Sequence, residues 1–344
     1  MKFLLLPALM LAAASPAPET TPVAKRALGS ALGALLQADG QRARDLLRAI
    51  APDQLGEKEA AFRSCMLARL EKLVPADTVI SPKTHQADGV AQAIVTLYRI
   101  YWQASVMHPD QRAVAERHLI ASLSKLLGRP SLATMDEVEP VLAARLESNG
   151  FHVLQGRTGL LDELMIWAKQ DERTETVALP EGANETRVFY LDDFASMGWS
   201  RYLTCDRTGT GGWTKPEGLF VVVPAYASLT DENFRVNFLG HESQHFSDNR
   251  RFPGMASWEL EYRAKLVEVA YAVQTSAHVL SGFAINQGDN QADAHSYANK
   301  RVLAALRVRL GMVADADLGS VSLPDLQQAA VAELRADSAL RVKK

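Results

Sequence analysis

The stretch His241-Glu242-Ser243-Gln244-His245 is the most informative part of this 344-residue chain, because it carries the pattern H-E-x-x-H. Histidines four residues apart lie on one face of a helix, so both imidazoles can reach a single metal ion. The glutamate beside the first histidine then lies where a metal-bound water would sit, and it can act as the base for that water. The spacing therefore predicts a zinc site held by His241 and His245, with Glu242 as general base.

The residues around this motif favour a helix that follows a buried strand. Leu219–Pro224 is an apolar run typical of a strand inside a sheet. Thr230 is suited to cap a helix start, and Asp231 and Glu232 then fall in the first turn, where the helix dipole favours carboxylates. Phe252–Gly254 ends the segment with a turn. The alternative interpretation is an amphipathic helix whose two histidines bind no metal.

A catalytic zinc ion takes three protein ligands, so the motif requires one more. A longer zinc motif, which has Gly at position 248 and a third ligand histidine at position 251, is excluded because this chain has Asp248 and Arg251. The next helix begins near Ser257 and offers Glu259 and Glu261. A helical wheel places Glu259 nearer the buried stripe, and a ligand need point only at the metal, so both glutamates stay open on this reasoning.

The run Glu261-Tyr262-Arg263-Ala264 reads E-x-x-A, and together with H-E-x-x-H it resembles the gluzincin branch of the zincin metallopeptidases. Several families of that branch take the third zinc ligand from this glutamate, so the resemblance implies Glu261. It covers residues 219 to about 279, and Lys265 stands where some of those families have Asp. The implied fold class is α+β, a zincin-like metallopeptidase domain with a preceding mainly helical region.

The expected activity is zinc-dependent hydrolysis of peptide bonds in a peptide or protein substrate. Zinc lowers the pKa of its bound water, and Glu242 would take the proton and pass it to the leaving amine. Two alternatives stay open. One is a non-catalytic secreted binding or scaffold protein that keeps the zincin-like fold, and the other is an enzyme that cleaves another amide, for example in the cell wall.

Three more polar side chains are candidates for supporting roles. Asp248 lies one turn beyond His245, where it could hydrogen-bond a ligand histidine or be an ordinary polar residue near a helix end. His295 and Tyr297 could stabilise the negative charge that develops on the substrate oxygen. For this pair we favour the alternative, which is packing on a helix.

The N-terminus predicts export from the cell. Met1-Lys2 precedes the apolar run Phe3–Ala14, and small residues allow cleavage after Ala14 or Ala17, so residues 1–17 are expected to be a secretory signal peptide. Its style is bacterial, which predicts a periplasmic or secreted protein. No cysteine follows the run, which argues against a lipid anchor. No later segment is apolar for long enough to span a membrane.

Composition is that of a soluble protein with a sizeable core. Hydrophobic residues make up 47% of the chain and charged residues 22%, which is enough to build such a core. A net charge of −3 without a basic patch argues against nucleic acid as a partner. In an oxidising compartment Cys65 and Cys205 could pair, which would tie the N-terminal part of the chain to the catalytic part.

Three successive regions are expected along the chain: a helical region at residues 18–149, the zincin-like catalytic domain at 150–310, and a helical C-terminal extension at 311–344. Apolar positions at helical spacing run through the first region. Within the second, short strands are expected at Thr174–Leu179 and Thr186–Leu191, joined by a hairpin loop.

Overall fold

The computed structural model describes residues 19–71 and 89–342, and these form an α+β protein. The predicted signal peptide, residues 1–17, lies outside the described residues. Within the described ranges no helix combines the length and the apolar character that crossing a membrane requires. Two compact units make up the chain: Met1–Trp167 with Phe194–Gly209, and Ala168–Asp193 with Thr210–Lys344.

Helices dominate the first unit, and local sequence signals mark where several of them begin. They are α1 (Pro22–Leu36), α2 (Gly40–Arg48), α3 (Glu57–Glu71), α4 (Gly89–Met107), α5 (Arg112–Leu126), α6 (Met135–Glu147) and α7 (Trp199–Leu203). The Thr21 side chain caps α1 by accepting from the Ala24 N–H, and a proline follows it at the first helical position. Thr134 and Glu137 form a capping box at the start of α6.

The strands of the described ranges form one five-stranded mixed sheet. They are β1 (His152–Thr158), β2 (Leu161–Val177), β3 (Asn184–Met197), β4 (Gly212–Lys215) and β5 (Gly218–Val222). Their order across the sheet is β1-β2-β3-β5-β4. Strand β1 pairs antiparallel with β2, β3 pairs parallel with β5, and β4 pairs antiparallel with β5. Strand β5 is buried along its whole length, as the apolar run beginning at Leu219 predicted.

Helix α4 is anchored to the start of strand β2 by its aromatic side chains. Tyr98 and Trp102 have no exposed surface. The Trp102 indole N–H donates to the Asp162 carbonyl over 2.8 Å, and the Asp162 N–H donates to the Tyr101 hydroxyl over 3.1 Å. Burying a side chain of this size contributes roughly 2–3 kcal/mol, provided that its polar atoms find partners, as the Trp102 N–H and the Tyr101 hydroxyl do.

The second unit has one continuous core formed by strands and helices. Its helices are α8 (Glu232–Phe234), α9 (His241–Arg251), α10 (Ser257–Tyr271), α11 (Ser276–Ile285), α12 (Ala294–Arg309) and α13 (Leu323–Arg341). Val221 of β5, Leu266 of α10, Leu303 of α12 and Leu334 of α13 all belong to the same buried cluster. The core therefore joins the strand before the histidine motif to the last helix of the chain.

The division into units differs from the boundaries expected at residues 150 and 311. Strands β2 and β3 are much longer than the expected strands at Thr174–Leu179 and Thr186–Leu191, and each contributes residues to both units. Helix α13 buries Leu326 and Ala330 in the core of the second unit, so the region expected to be a C-terminal extension is part of that unit.

A buried ionic network holds α9, α10 and α13 together. The Arg263 side chain has no exposed surface, and its guanidinium donates to Asp248, Asp337 and Glu181 over 2.7–2.9 Å. Asp248 is equally buried and also accepts from the Gln244 amide. Removing one member of such a network leaves an uncompensated charge in the interior, at a cost of about 3–5 kcal/mol.

Candidate metal centre

The histidine motif begins α9, directly after a turn of uncommon geometry. Helix α8 is capped by the carboxylate of Asp231, which accepts from the Phe234 N–H over 2.9 Å, so the expectation that Thr230 is the cap is wrong. Residues Arg235–Gly240 form a π-helical turn, a conformation that recurs at functional sites. Helix α9 starts at His241, which places the whole motif in its first turns.

Three side chains from α9 and α10 converge on one point. The Nε2 atoms of His241 and His245 lie 3.1 Å apart. One carboxylate oxygen of Glu261 is 3.5 Å from His241 Nε2, and the other is 3.4 Å from His245 Nε2. His241 is buried and His245 and Glu261 are half-buried, so the cluster does not lie on the fully exposed surface.

The spacing and chemistry of these donor atoms fit a zinc ion. A tetrahedral zinc ion with bonds of about 2.0–2.2 Å holds its donor atoms roughly 3.3–3.6 Å apart. The three observed separations, from 3.1 to 3.5 Å, are close to that range. Two imidazoles and one carboxylate also form a donor set that zinc prefers at catalytic sites, where the fourth position stays open.

Glu268 contacts the ring nitrogen of His241 that does not face the cluster. Its Oε1 lies 2.6 Å from His241 Nδ1, and both side chains are buried. A carboxylate on one ring nitrogen directs the other nitrogen toward a metal and makes it a stronger donor. Glu268 was not predicted from the sequence, although it follows Glu261 by seven residues and therefore lies two turns along the same face of α10. His245 Nδ1, in contrast, has no hydrogen-bond partner in the part of the chain that the structure describes.

The histidines and carboxylates of this cluster shift the pKa values of His241 and Glu261. Burial alone lowers the pKa of His241, but the nearby carboxylates of Glu261 and Glu268 outweigh it and raise the pKa to about 10. Burial would raise the pKa of Glu261, yet His241, His245 and His295, whose ring nitrogens lie 2.9–3.5 Å from its oxygens, hold that pKa far below its usual range. The carboxylates of Glu261 and Glu268 thus place negative charge where it stabilises a cation.

Of the two glutamates considered for the third position, Glu261 lies beside both imidazoles and Glu259 does not. Glu259 accepts from the Ala256 N–H over 2.9 Å at the start of α10, and its other oxygen is 3.1 Å from Arg341. Its side chain is therefore occupied in capping the helix. Lys265, one turn beyond Glu261, is buried with its Nζ 3.8 Å from the Glu261 carboxylate.

Glu242 lies next to the edge strand of the sheet. The Thr214 hydroxyl of β4 donates to Glu242 Oε2 over 2.7 Å, which holds the carboxylate in one orientation. Tyr226 is close enough to this carboxylate that burial and the charge of Glu242 both raise its pKa above the usual value. Neither Thr214 nor Tyr226 was singled out from the sequence, because their proximity to Glu242 depends on how distant segments pack.

The three candidates for supporting roles have different environments. Asp248 bonds Gln244 and Arg263 rather than a histidine, so the interpretation that it supports a metal ligand is wrong. His295 Nδ1 is 2.9 Å from Glu261 Oε2, and the side chain is 65% exposed, so it lies at the mouth of the cluster rather than in a packed interface. Tyr297 packs edge-on against the Trp258 ring, as the preferred alternative expected.

Comparison with known proteins identifies no relative. No protein family, no curated protein and no solved structure matches this chain.

Proposed function

We propose that this protein is a zinc-dependent metallopeptidase, in which His241, His245 and Glu261 hold the metal. The observation that carries the proposal is the convergence of the two imidazole Nε2 atoms and the Glu261 carboxylate at 3.1–3.5 Å. The buried carboxylate of Glu268 behind His241 adds support, because metal-binding histidines regularly have such a partner.

The residues around this point supply the remaining parts of a hydrolytic site. Bound zinc would polarise the substrate carbonyl and make water acidic enough to lose a proton near neutral pH. Glu242 takes the proton from the water as the water oxygen attacks the carbonyl carbon. Glu242 then gives this proton to the amine that leaves when the peptide bond breaks. Thr214 orients the Glu242 carboxylate for both transfers.

An extended peptide is the substrate shape that the neighbouring sheet edge suits best. Strand β4 is the outermost strand on this side of the sheet, and it carries Thr214 beside Glu242. The outer side of an edge strand offers backbone N–H and C=O groups that a peptide chain can pair with as an added strand. We further propose that the protein is periplasmic or secreted, on the basis of its N-terminal sequence.

Metal analysis and a peptidase assay on the purified full chain test the proposal. We expect about one zinc ion per chain. A peptide library digested by the wild type should yield new termini by mass spectrometry, and Glu242→Gln should keep the zinc but lower turnover at least 100-fold, because an amide cannot accept the proton. Glu217→Gln, an exposed glutamate of the same unit, is the matched control and should behave as the wild type.

Two outcomes would overturn the proposal. One is natively purified protein without zinc, and the other is wild-type turnover by the Glu242→Gln variant. A zinc-loaded wild type that cleaves no peptide but releases amines from isolated cell-wall material would assign the same site to a different amide. A zinc-loaded wild type that cleaves neither would support a non-catalytic binding protein.

A further inference from the structure

The first unit contains a cavity that is rich in arginine. Its volume is about 370 Å³, and its lining includes side chains of α3, α4 and α7. Its basic lining residues are Lys58, Arg69, Arg99, Arg201 and Arg207. Asp206 is the one acidic residue in the described lining, so the cavity carries a clear excess of positive charge.

Two of these cations have nearby carboxylates. Arg201 Nε lies 3.2 Å from the carboxylate of Asp206, and Arg207 Nη2 lies 3.8 Å from Glu59. The Arg207 guanidinium also stacks over the Phe62 ring, with its carbon 4.4 Å from the ring centroid. Asp206 and Glu59 are therefore already paired with Arg201 and Arg207, and the other basic side chains of the lining form no ion pair among the described residues.

Arg69 and Arg99 have no carboxylate partner among the described residues. Their guanidinium carbons lie 4.4 and 4.7 Å from the centroid of the same ring, that of Tyr202. Arg69 Nη1, Arg99 Nε and Arg99 Nη1 are buried, and none of them has a hydrogen-bond partner among the described residues. Buried charged donors without acceptors are costly for a fold to keep. Burial and the neighbouring Arg69 charge both lower the pKa of Arg99, in agreement with a site that lacks a counter-ion.

We propose that this cavity binds a small organic molecule through its oxyanion group, a phosphate monoester or a carboxylate, held between Arg69 and Arg99. The planar guanidinium offers parallel N–H donors that match the oxygens of either group. Phe194, Ala195 and Met197, which also line the cavity, supply apolar surface for the organic part of the ligand. The volume is within the range of small-molecule sites, at its lower end, which fits a compact ligand.

The disulfide is part of the same cavity. Cys65 and Cys205 both line it, and their bond links α3, which carries Arg69, to the turn after α7. In that turn Cys205 and Asp206 have φ values of 50° and 64°, which residues other than glycine rarely adopt. The covalent link therefore holds together two segments that both line the cavity.

Calorimetric titration of the full chain with phenyl phosphate and with benzoate tests the proposal. The protein is first stripped with a chelator, so that a metal ion at the histidine motif cannot hold either anion. We expect saturable binding of at least one probe to one site per chain. Arg69→Gln and Arg99→Gln should each weaken binding at least tenfold, because each removes charged donors that the oxyanion would occupy.

Arg42→Gln is the matched control, since it removes the same charge from an exposed position on α2 of the same unit. It should bind the probes as the wild type does. Tighter binding of phenyl phosphate would assign the site to phosphate esters, and tighter binding of benzoate would assign it to carboxylates. The proposal is overturned if neither probe binds at millimolar concentration, or if a folded Arg69→Gln or Arg99→Gln variant binds as tightly as Arg42→Gln.

Discussion

Single carboxylates on α10 differ sharply in what they contact, although few residues separate them. Glu259 caps the helix and contacts Arg341, Glu261 lies beside both imidazoles, and Glu268 bonds Nδ1 of His241. The role of each of these glutamates therefore follows from the groups that its carboxylate contacts. Substitutions that change only the charge can therefore separate their roles.

Glu261→Gln should weaken zinc binding more than 100-fold, because it removes one of three donors together with its charge. Glu259→Gln should leave zinc affinity unchanged and lower the free energy of unfolding by about 1 kcal/mol, because Gln can still accept from the Ala256 N–H but loses the ion pair with Arg341 and the favourable charge at the helix start. Competition with a coloured zinc chelator and urea denaturation measure the two effects. The opposite order of zinc affinities would show that the assignment of Glu261 is incorrect.

Glu268→Gln should reduce zinc affinity by about 10–100-fold without removing the metal at saturating concentration, since the amide holds the His241 ring less strongly. The same chelator competition measures this change, with the exposed Glu217→Gln as control. Unchanged affinity in Glu268→Gln would mean that the carboxylate behind His241 does not contribute to metal binding.

At the scale of elements, the start of α11 depends on a glutamate from another helix. Thr275 makes no side-chain cap at this helix start. Instead the Glu232 carboxylate of α8 accepts from the N–H groups of Val273 and Thr275 and from the Thr275 hydroxyl, over 2.6–2.8 Å. Burial would raise the pKa of Glu232, but these hydrogen bonds outweigh it and hold the pKa below its ordinary value.

The lowered pKa of Glu232 predicts a specific dependence of stability on pH. Because the folded-state pKa is depressed, the stabilisation is complete above the unfolded-state pKa of about 4.3 and is lost as the pH falls through the folded-state value. Glu232→Gln should therefore be less stable than the wild type by about 1–2 kcal/mol at neutral pH. The difference should shrink below about pH 4, as measured by thermal unfolding across pH. A difference that stays constant with pH would contradict this account.

At the scale of the whole molecule, the expected pairing of Cys65 with Cys205 is confirmed, but the disulfide lies within one compact unit. Cys65 and Cys205 are 140 residues apart in the chain, yet both belong to the first unit. The expectation that they tie the N-terminal part to the catalytic part is wrong, because the chain returns to the first unit between Phe194 and Gly209 after passing through the second.

Protein purified without a reducing agent should show no reactive thiol when it is denatured. The same protein should show two reactive thiols when it is denatured and reduced. Reduction should lower the free energy of unfolding by roughly 2–5 kcal/mol, because a long loop is no longer closed in the unfolded chain. Urea denaturation with and without a reducing agent measures the loss, and the Cys65→Ala/Cys205→Ala double variant should be insensitive to that agent. Two free thiols in the untreated wild type would exclude the pairing.

Much of the fold class and part of the candidate site followed from local sequence patterns. The spacing of His241 and His245 brings their Nε2 atoms close together because an α-helix repeats every 3.6 residues, whatever surrounds it. The buried strand β5 was recognisable from its continuous apolar run. The length of β2 was not, because its middle part, from Lys169 to Arg173, is charged and polar and does not alternate as a strand signal requires.

The sequence by itself determined the features that depend on a few consecutive residues: the helical histidine pair, the adjacent glutamate and the buried strand β5. Only the tertiary structure decided which distant groups meet them. Glu268 lies behind His241, Asp248 pairs with Arg263, and Arg69 and Arg99 share one ring, because of how separate helices pack. Helix geometry fixes neighbours within one or two turns, whereas contacts between elements depend on the burial of whole faces, which no local spacing encodes.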